Sequence, residues 1–282
     1  MFLRHVLRKL CSAVLVLSVS FNVLPNTVFA GNETDVKAST EAYEKDEFKE
    51  TDVPSQTGPE ESPAQNEGEL SREKLQSIEE LARRLGLPFE EVLEHLRFGD
   101  DCYLIPLTDS DEHRECLLNL FSRANEDYMR YYLDGRLRSQ EDVERIYFTN
   151  AMGRMWSGDL PRSLQFIIDF NNTSIGRIAV GPLRDRRKID AEAGYALLED
   201  YSGQGIMSRA VACLLGLLRC LVDNGVYDLE RVRATPKVGN TASNKILVKN
   251  NFTKSEDLVD DGYSPENEYF YYFEKENQRD GA

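Results

Sequence analysis

Apolar residues recur at helical spacing twice in the segment 70–98. Leu75, Ile78, Leu81, Ala82 and Leu85 form one stripe, and Phe89, Val92, Leu93 and Leu96 form a second beyond Gly86 and Pro88. Steps of three and four place each set on one face of an amphipathic helix, and the glycine–proline break predicts a helical hairpin. Beyond residue 100 short apolar runs take over, which predicts strands at 101–107 (DCYLIPL), 164–170 (LQFIIDF), 174–180 (SIGRIAV), 191–198, 229–234, 252–258 and 268–273 (EYFYYF). Asn171-Asn172-Thr173 between the second and third runs is hairpin-turn chemistry. Helical patterns occupy 109–132, 138–152 (opened by Ser139), 206–221 and 241–249. The order β-α-α-β-β-β-α-β-α-β-β predicts a mixed α/β or α+β layer domain over 101–275.

Two N-terminal segments do not fit this pattern. Residues 1–30 carry a basic start (Arg4, His5, Arg8, Lys9), an apolar run from Leu10 to Leu24, and small residues Val28 and Ala30 before Gly31. These are the three parts of a cleavable export signal, and the apolar run is short for a membrane span. Export follows as an expectation (periplasm, secretion or delivery to another cell), with no stable span after cleavage. Residues 31–69 hold 12 acidic and 3 basic residues with almost no large aliphatics, the composition of a disordered acidic linker. The whole chain has a formal net charge of −15. Such a chain repels phosphate backbones, which argues against a nucleic-acid partner even for the hairpin at 70–98.

Metal and thiol chemistry find little footing in the spacing. Cys11, Cys102, Cys116, Cys213 and Cys220 form no CxxC pair or Cys/His motif, so no metal is expected. Cys213 and Cys220 would lie about 10 Å apart along one helix, too far for a disulfide. His5, His95 and His113 are scattered and suggest no catalytic triad.

The stretch with most chemical content is 194–211, GYALLEDYSGQGIMSRAV. A strand ends, two glycines follow, and a helix begins near Ile206. The first turn of a helix presents unpaired N–H groups at the positive end of its dipole, which favours an anion. Gly203 and Gly205, lacking a Cβ, let that backbone approach a bulky anion and adopt dihedrals other residues resist. A plain tight turn with two glycines would read the same way in isolation.

The run EAGYALLEDYSGQGIMSRAV resembles the core of the GNAT superfamily of acetyl-CoA-dependent N-acetyltransferases, and in particular the branch of ribosomal-protein alanine acetyltransferases. Further similar stretches appear in the family's order: YLIPLTDSDEHRECLLNLF at 103–121, DYMRYYLDG at 127–135 and GNTASNKILVKNNF at 239–252. The resemblance covers 101–275. It implies a mostly antiparallel central sheet flanked by helices, with acetyl-CoA as co-substrate and a primary amine (protein N-terminus, polyamine or other small amine) as acceptor. In the family the turn reads Q/R-x-x-G-x-G/A and its amides hold the coenzyme A pyrophosphate. Here Ser202 replaces the glutamine or arginine, and Met207 takes the last small position.

Carried over residue by residue, the resemblance assigns the coenzyme to Leu197, Gly203, Gln204, Gly205, Ile206, Met207 and Asn240. Two parallel strands near Leu197 and Arg233 would part around the pantetheine arm, with the reacting carbon near Tyr195 to Leu197. Glu192 matches the family's general base and Tyr195 offers a hydroxyl. On the residues alone, Glu192 is equally a solvated strand glutamate, Tyr195 equally core, and Asn240 also a helix N-cap. Leu247 stands where many members carry a tyrosine that protonates the leaving thiolate. Asn251 replaces a glycine, which asparagine's tolerance of left-handed dihedrals allows. Arg209 stands where the branch carries a glutamate. Arg184, Arg186, Arg187 and Lys188 make a basic knot that suits an acidic ligand or an exposed hairpin tip. The departures and the export signal keep a second expectation open, an exported GNAT-like interaction domain without catalysis.

Overall fold

The computed structural model describes residues 70–124, 126–131, 135–183, 190–260 and 265–273. The proposed signal (1–30), the linker (31–69) and the basic knot at 184–188 lie outside the described residues. Helices α1 (Arg72–Leu85) and α2 (Phe89–Leu96) form the hairpin, with Ser71 accepting from the Lys74 N–H at one end and Gly86 closing α1 in the left-handed region. The order continues β1 (Cys102–Pro106), α3 (Asp111–Phe121), α4 (Glu126–Met129), α5 (Gln140–Val143), a π-helix (Glu144–Ala151) and α6 (Met152–Trp156). Next come β2 (Leu164–Phe170), β3 (Thr173–Gly181), β4 (Asp190–Leu197), a 3-10 turn (Glu199–Tyr201), α7 (Ile206–Asp223), β5 (Arg231–Ala234), α8 (Thr241–Lys249), β6 (Thr253–Asp260) and β7 (Pro265–Tyr272).

The seven strands form one sheet in the order β1-β2-β3-β4-β5-β7-β6. Every neighbouring pair is antiparallel except β4 and β5. Asn171 and Asn172 have φ of 51° and 58°, so the β2–β3 hairpin turns through two left-handed asparagines as its sequence predicts. Alternation sorts the side chains. Phe166 and Ile168 enter the larger core with α1, α2 and α7, while Ile167 enters the smaller core under α3 and the π-helix.

Three expectations change in detail. The helical pattern at 109–132 is two helices, because α3 ends at Phe121 with Ser122 as its cap and the chain re-enters a helix only at Glu126. The helix expected over 138–152 begins at Gln140, directly after Ser139, whose hydroxyl caps it by accepting from the Asp142 N–H. It then widens to π geometry, where Tyr147 stacks on Phe121 at 4.8 Å and takes Arg177 over its face at 4.9 Å. The hairpin 70–98 is set apart by its sequence, yet Ile78, Leu81, Val92 and Leu96 lie fully buried in the same core as α7. A fully buried side chain of this size contributes about 1.5–3 kcal/mol, so the hairpin is part of the domain's stability.

Candidate active site

Strands β4 and β5 pair in parallel for only three residues, Asp190–Arg231 to Glu192–Arg233. Beyond Glu192, β4 stays bonded to β3 through Leu197 on one side and parts from β5 on the other. The Leu197 carbonyl points into this gap, where it accepts from the Tyr128 hydroxyl at 2.9 Å, while the next residue, Leu198, donates to Ile175 on β3 at 2.8 Å. Strand alternation turns the backbone groups of Tyr195 the same way as those of Leu197, into the gap. Gly176 on β3 makes the close packing behind β4 possible. A Cβ there would stand 2.8 Å from both the Ala196 carbonyl oxygen and Leu197 Cδ1.

The gap opens into a cavity of about 620 Å³, within the usual range for small-molecule sites. One wall is Tyr195–Leu197, another is the turn with the start of α7, and a third is one face of α8 along its length. Gly203 and Gly205 have φ of 76° and 74°, and a Cβ at either would meet nothing within 4 Å. Gly205 is the N-cap of the 18-residue α7 and brings no side-chain acceptor to its first turn. The N–H groups at the start of a long helix are thus left for an anion, in a cradle that side chains would fill.

Of the residues assigned to the coenzyme, Leu197, Gly203, Gly205, Ile206, Met207 and Asn240 line this cavity. Gln204 does not; its side chain is exposed and donates to the Asp200 carbonyl at 3.1 Å, which leaves it only a backbone part in the turn. Asn240 Oδ1 accepts from the Ser243 N–H at 3.0 Å and caps α8, so the capping role of this residue is realised and its NH₂ is the group left to offer a ligand. Ser202, at the motif's departure, shares a 2.8 Å hydrogen bond with the Tyr128 hydroxyl. It joins α4 to the turn instead of reaching outward. Arg209 points away from the cavity, its Nη1 lying 3.5 Å from the Cβ position of Gly99. Asn251 holds φ 61°, the left-handed turn that its glycine-like position calls for.

The two catalytic candidates are placed differently. Tyr195 lines the cavity, and its hydroxyl lies 2.8 Å from Ser243 Oγ. Burial pushes its pKa up to about 12, partly opposed by the Ser243 hydrogen bond, so the phenol stays protonated at neutral pH. Glu192 is half-buried outside the cavity lining, with Oε2 accepting from Arg233 Nη2 at 2.6 Å. Arg233 also reaches Glu268 at 3.5 Å. Burial opposes the Arg233 charge, but the two carboxylates outweigh it and hold the guanidinium above its usual value. Leu247 is fully buried and contributes nothing to the cavity wall.

Sequence reasoning missed part of the site. Tyr128, Arg130 and Tyr131 form its far wall, and Lys245 and Lys249 line it from α8. The two lysines are four residues apart on one exposed helix face, which is a legible sign once the helix is known to border an anion site. The aromatic wall falls in the family-like stretch 127–135, but its place at the site is not legible there, since α4 is one turn long and its position depends on the Tyr128 hydrogen bonds.

A parallel pair splayed in an otherwise antiparallel sheet opens at a glycine-lined helix N-terminus, an arrangement with room for an extended anionic ligand. The family model "Acetyltransferase (GNAT) domain" matches residues 102–253, and the chain belongs to this family of acetyltransferases. The structure is similar to that of RimL, a ribosomal L7/L12 alpha-N-protein acetyltransferase in complex with coenzyme A. That match has a TM-score of 0.51 and 21% identity, over 63% of this chain and 97% of that one. It is also similar to an acetyltransferase from Salmonella typhimurium described as modifying the N-terminal serine of L7/L12 (TM-score 0.50, 23% identity, 64% and 99% covered). A third is the microcin C7 self-immunity acetyltransferase MccE in complex with acetyl-CoA and AMP (TM-score 0.50, 19% identity, 62% and 94% covered). No curated protein sequence matches the chain. Among the described residues, no helix is long and apolar enough to cross a membrane.

Proposed function

We propose that this chain transfers acetyl from acetyl-CoA to a primary amine by direct attack, with no covalent enzyme intermediate. The single observation that carries this reading is the gap between β4 and β5 running from the uncapped N-terminus of α7. The amides of 203–207 hold the pyrophosphate, the pantetheine arm follows β4, and Asn240 meets it from α8. Lys245 and Lys249 supply positive charge for the remaining phosphate at the rim. The N–H groups of Tyr195 and Leu197 stabilise the oxyanion formed when the amine adds to the thioester carbonyl. Glu192, fixed by Arg233, takes the proton from the amine through an intervening water. The Tyr195 hydroxyl gives its proton to the departing thiolate, the role Leu247 does not perform; it takes a new proton from solvent relayed by Ser243, and Glu192 releases the amine's proton to solvent.

The acceptor class is a protein N-terminus, a polyamine or another small amine. The test incubates the full chain with acetyl-CoA and a panel of N-terminal peptides, spermidine and simple amines. Release of coenzyme A thiol together with gain of one acetyl group on an acceptor is the expected result. Failure of the folded protein to bind acetyl-CoA at millimolar concentration would sink the proposal.

The ion pair that holds Glu192 outside the cavity favours a second reading, a domain that binds the coenzyme without turning it over. Coenzyme binding with no acetylation across the panel would select it. Residues 1–30 are proposed to direct export, the composition described above being the support. Mass measurement of the chain recovered after expression in a secreting host checks this, since cleavage leaves Gly31 at the N-terminus.

A further inference from the structure

Glu91 and His95 sit on one face of α2, four residues apart, and the facing side chain on α7 is Cys220. Their ligating atoms all lie within 4.8 Å of one another. The carboxylate Oε1 of Glu91 is 3.2 Å from Cys220 Sγ. Cys220 is buried and the other two are half-buried, so the trio lies at the edge of the α2–α7 contact with one side open to solvent. We propose that these three residues form a binding site for a zinc-type divalent cation that staples the α1–α2 hairpin to the domain.

The donor set selects the ion. A thiolate, an imidazole and a carboxylate together suit zinc, whereas magnesium and calcium prefer oxygen alone. Zinc bonds of about 2.0–2.3 Å place tetrahedral donors roughly 3.3–3.8 Å apart, so the trio needs to close by about 1 Å. Side-chain torsions on two fixed helices supply that much. Charge also balances: a divalent cation cancels one carboxylate and one thiolate, and the proton now shared between Cys220 and Glu91 leaves to solvent. Water fills the fourth position on the open side.

The surroundings favour a close approach of the two helices here. Gly216, one turn before Cys220 on α7, leaves room beside His95, whose Nδ1 would stand 3.9 Å from a Cβ at that position. Cys213 Sγ donates to the His95 carbonyl at 2.9 Å and so fixes the backbone of α2 without entering the cluster. Cys220 lies about 20 Å along α7 from the coenzyme turn, which makes the role structural and separates it from the acetyl-transfer proposal. The hairpin lies outside the residues matched by the family model and Cys220 lies within them, so the site would join the two.

The test loads the full metal-free chain with zinc and, separately, with cobalt(II). One ion per chain is expected, with a thiolate-to-cobalt charge-transfer band in the near ultraviolet and a higher Tm in zinc. Cys220→Ala should abolish the band, and Cys220→Ala, His95→Gln and Glu91→Gln should each weaken zinc binding more than about tenfold, a ligand mattering at least as much as an outer-shell partner. Cys213→Ala should keep both. Binding well below one ion per chain, or binding unchanged in the Cys220 and His95 variants, would overturn the site. If Cys220→Ala does not fold, as read by circular dichroism, His95→Gln and Glu91→Gln decide.

Discussion

Gly205 offers the most direct check on how the coenzyme is held. Its φ of 74° lies in the left-handed region, and a Cβ there would meet nothing within 4 Å. Alanine at this position therefore brings no clash in the free protein, only backbone strain of about 1–2 kcal/mol. It also intrudes on whatever anion approaches the turn. Glutamate adds a negative charge to the same strain. At roughly 6 Å from a bound phosphate, with an effective dielectric near 20, one unit of like charge costs about 2.8 kcal/mol. Lengthening of the flexible side chain toward water and screening by salt halve this, so glutamate should weaken acetyl-CoA binding about tenfold more than alanine does. The assay is calorimetric titration of acetyl-CoA into parent, Gly205→Ala and Gly205→Glu chains at low and high salt, with thermal melting to establish that each is folded. The two variants should melt alike, and the gap in their affinities should shrink as salt rises. Equal affinity of the folded alanine and glutamate variants at low salt would refute the placement of the pyrophosphate at this helix terminus.

Other perturbations bear on the chemistry and the frame behind it. Tyr195→Phe removes the buried hydroxyl and its 2.8 Å bond to Ser243, and should lower kcat by about 10²–10⁴ on any acceptor found while leaving acetyl-CoA affinity within about threefold; a kcat within twofold of the parent would remove Tyr195 as the proton donor. Gly176→Ala sets a Cβ 2.8 Å from a backbone carbonyl that cannot yield, so chemical denaturation should show a loss of about 1–3 kcal/mol, and an unchanged midpoint would contradict the packing behind β4. His113 is buried, which lowers its pKa from 6.5 to about 4, partly opposed by Glu112. The unfolded chain therefore binds more protons between those values, and this residue's share of stability is complete above about pH 6.5 and is lost as pH falls toward 4, by up to about 3 kcal/mol. His113→Gln should flatten that part of the stability–pH curve measured by urea denaturation, and an identical curve would show that another group governs it.

Much of the frame is written locally in the chain. The apolar alternation of β2 and β3, the left-handed turn at Asn171 and Asn172, the caps at Ser139 and Asn240, and the two glycines before α7 each depend on a few neighbouring residues. Short-range sterics and hydrogen bonding decide such features, so spacing alone places them. The same holds for the anion cradle, because a helix N-terminus without a side-chain cap is a local object.

What only the tertiary structure decided involves residues far apart in the chain. The position of α4 is fixed by Tyr128 reaching Leu197 and Ser202 across the domain, a tie of about 70 residues that no helical period records. Glu192 meets Arg233 because two strands 41 residues apart pair for three residues and then diverge, so the base candidate's position could not be read from its own strand. The aromatic wall of the cavity, the burial of the N-terminal hairpin and the meeting of Glu91, His95 and Cys220 have the same origin. Periodicity states which face of an element is apolar, but not which other face will cover it. That choice is made by the whole chain when the faces pack.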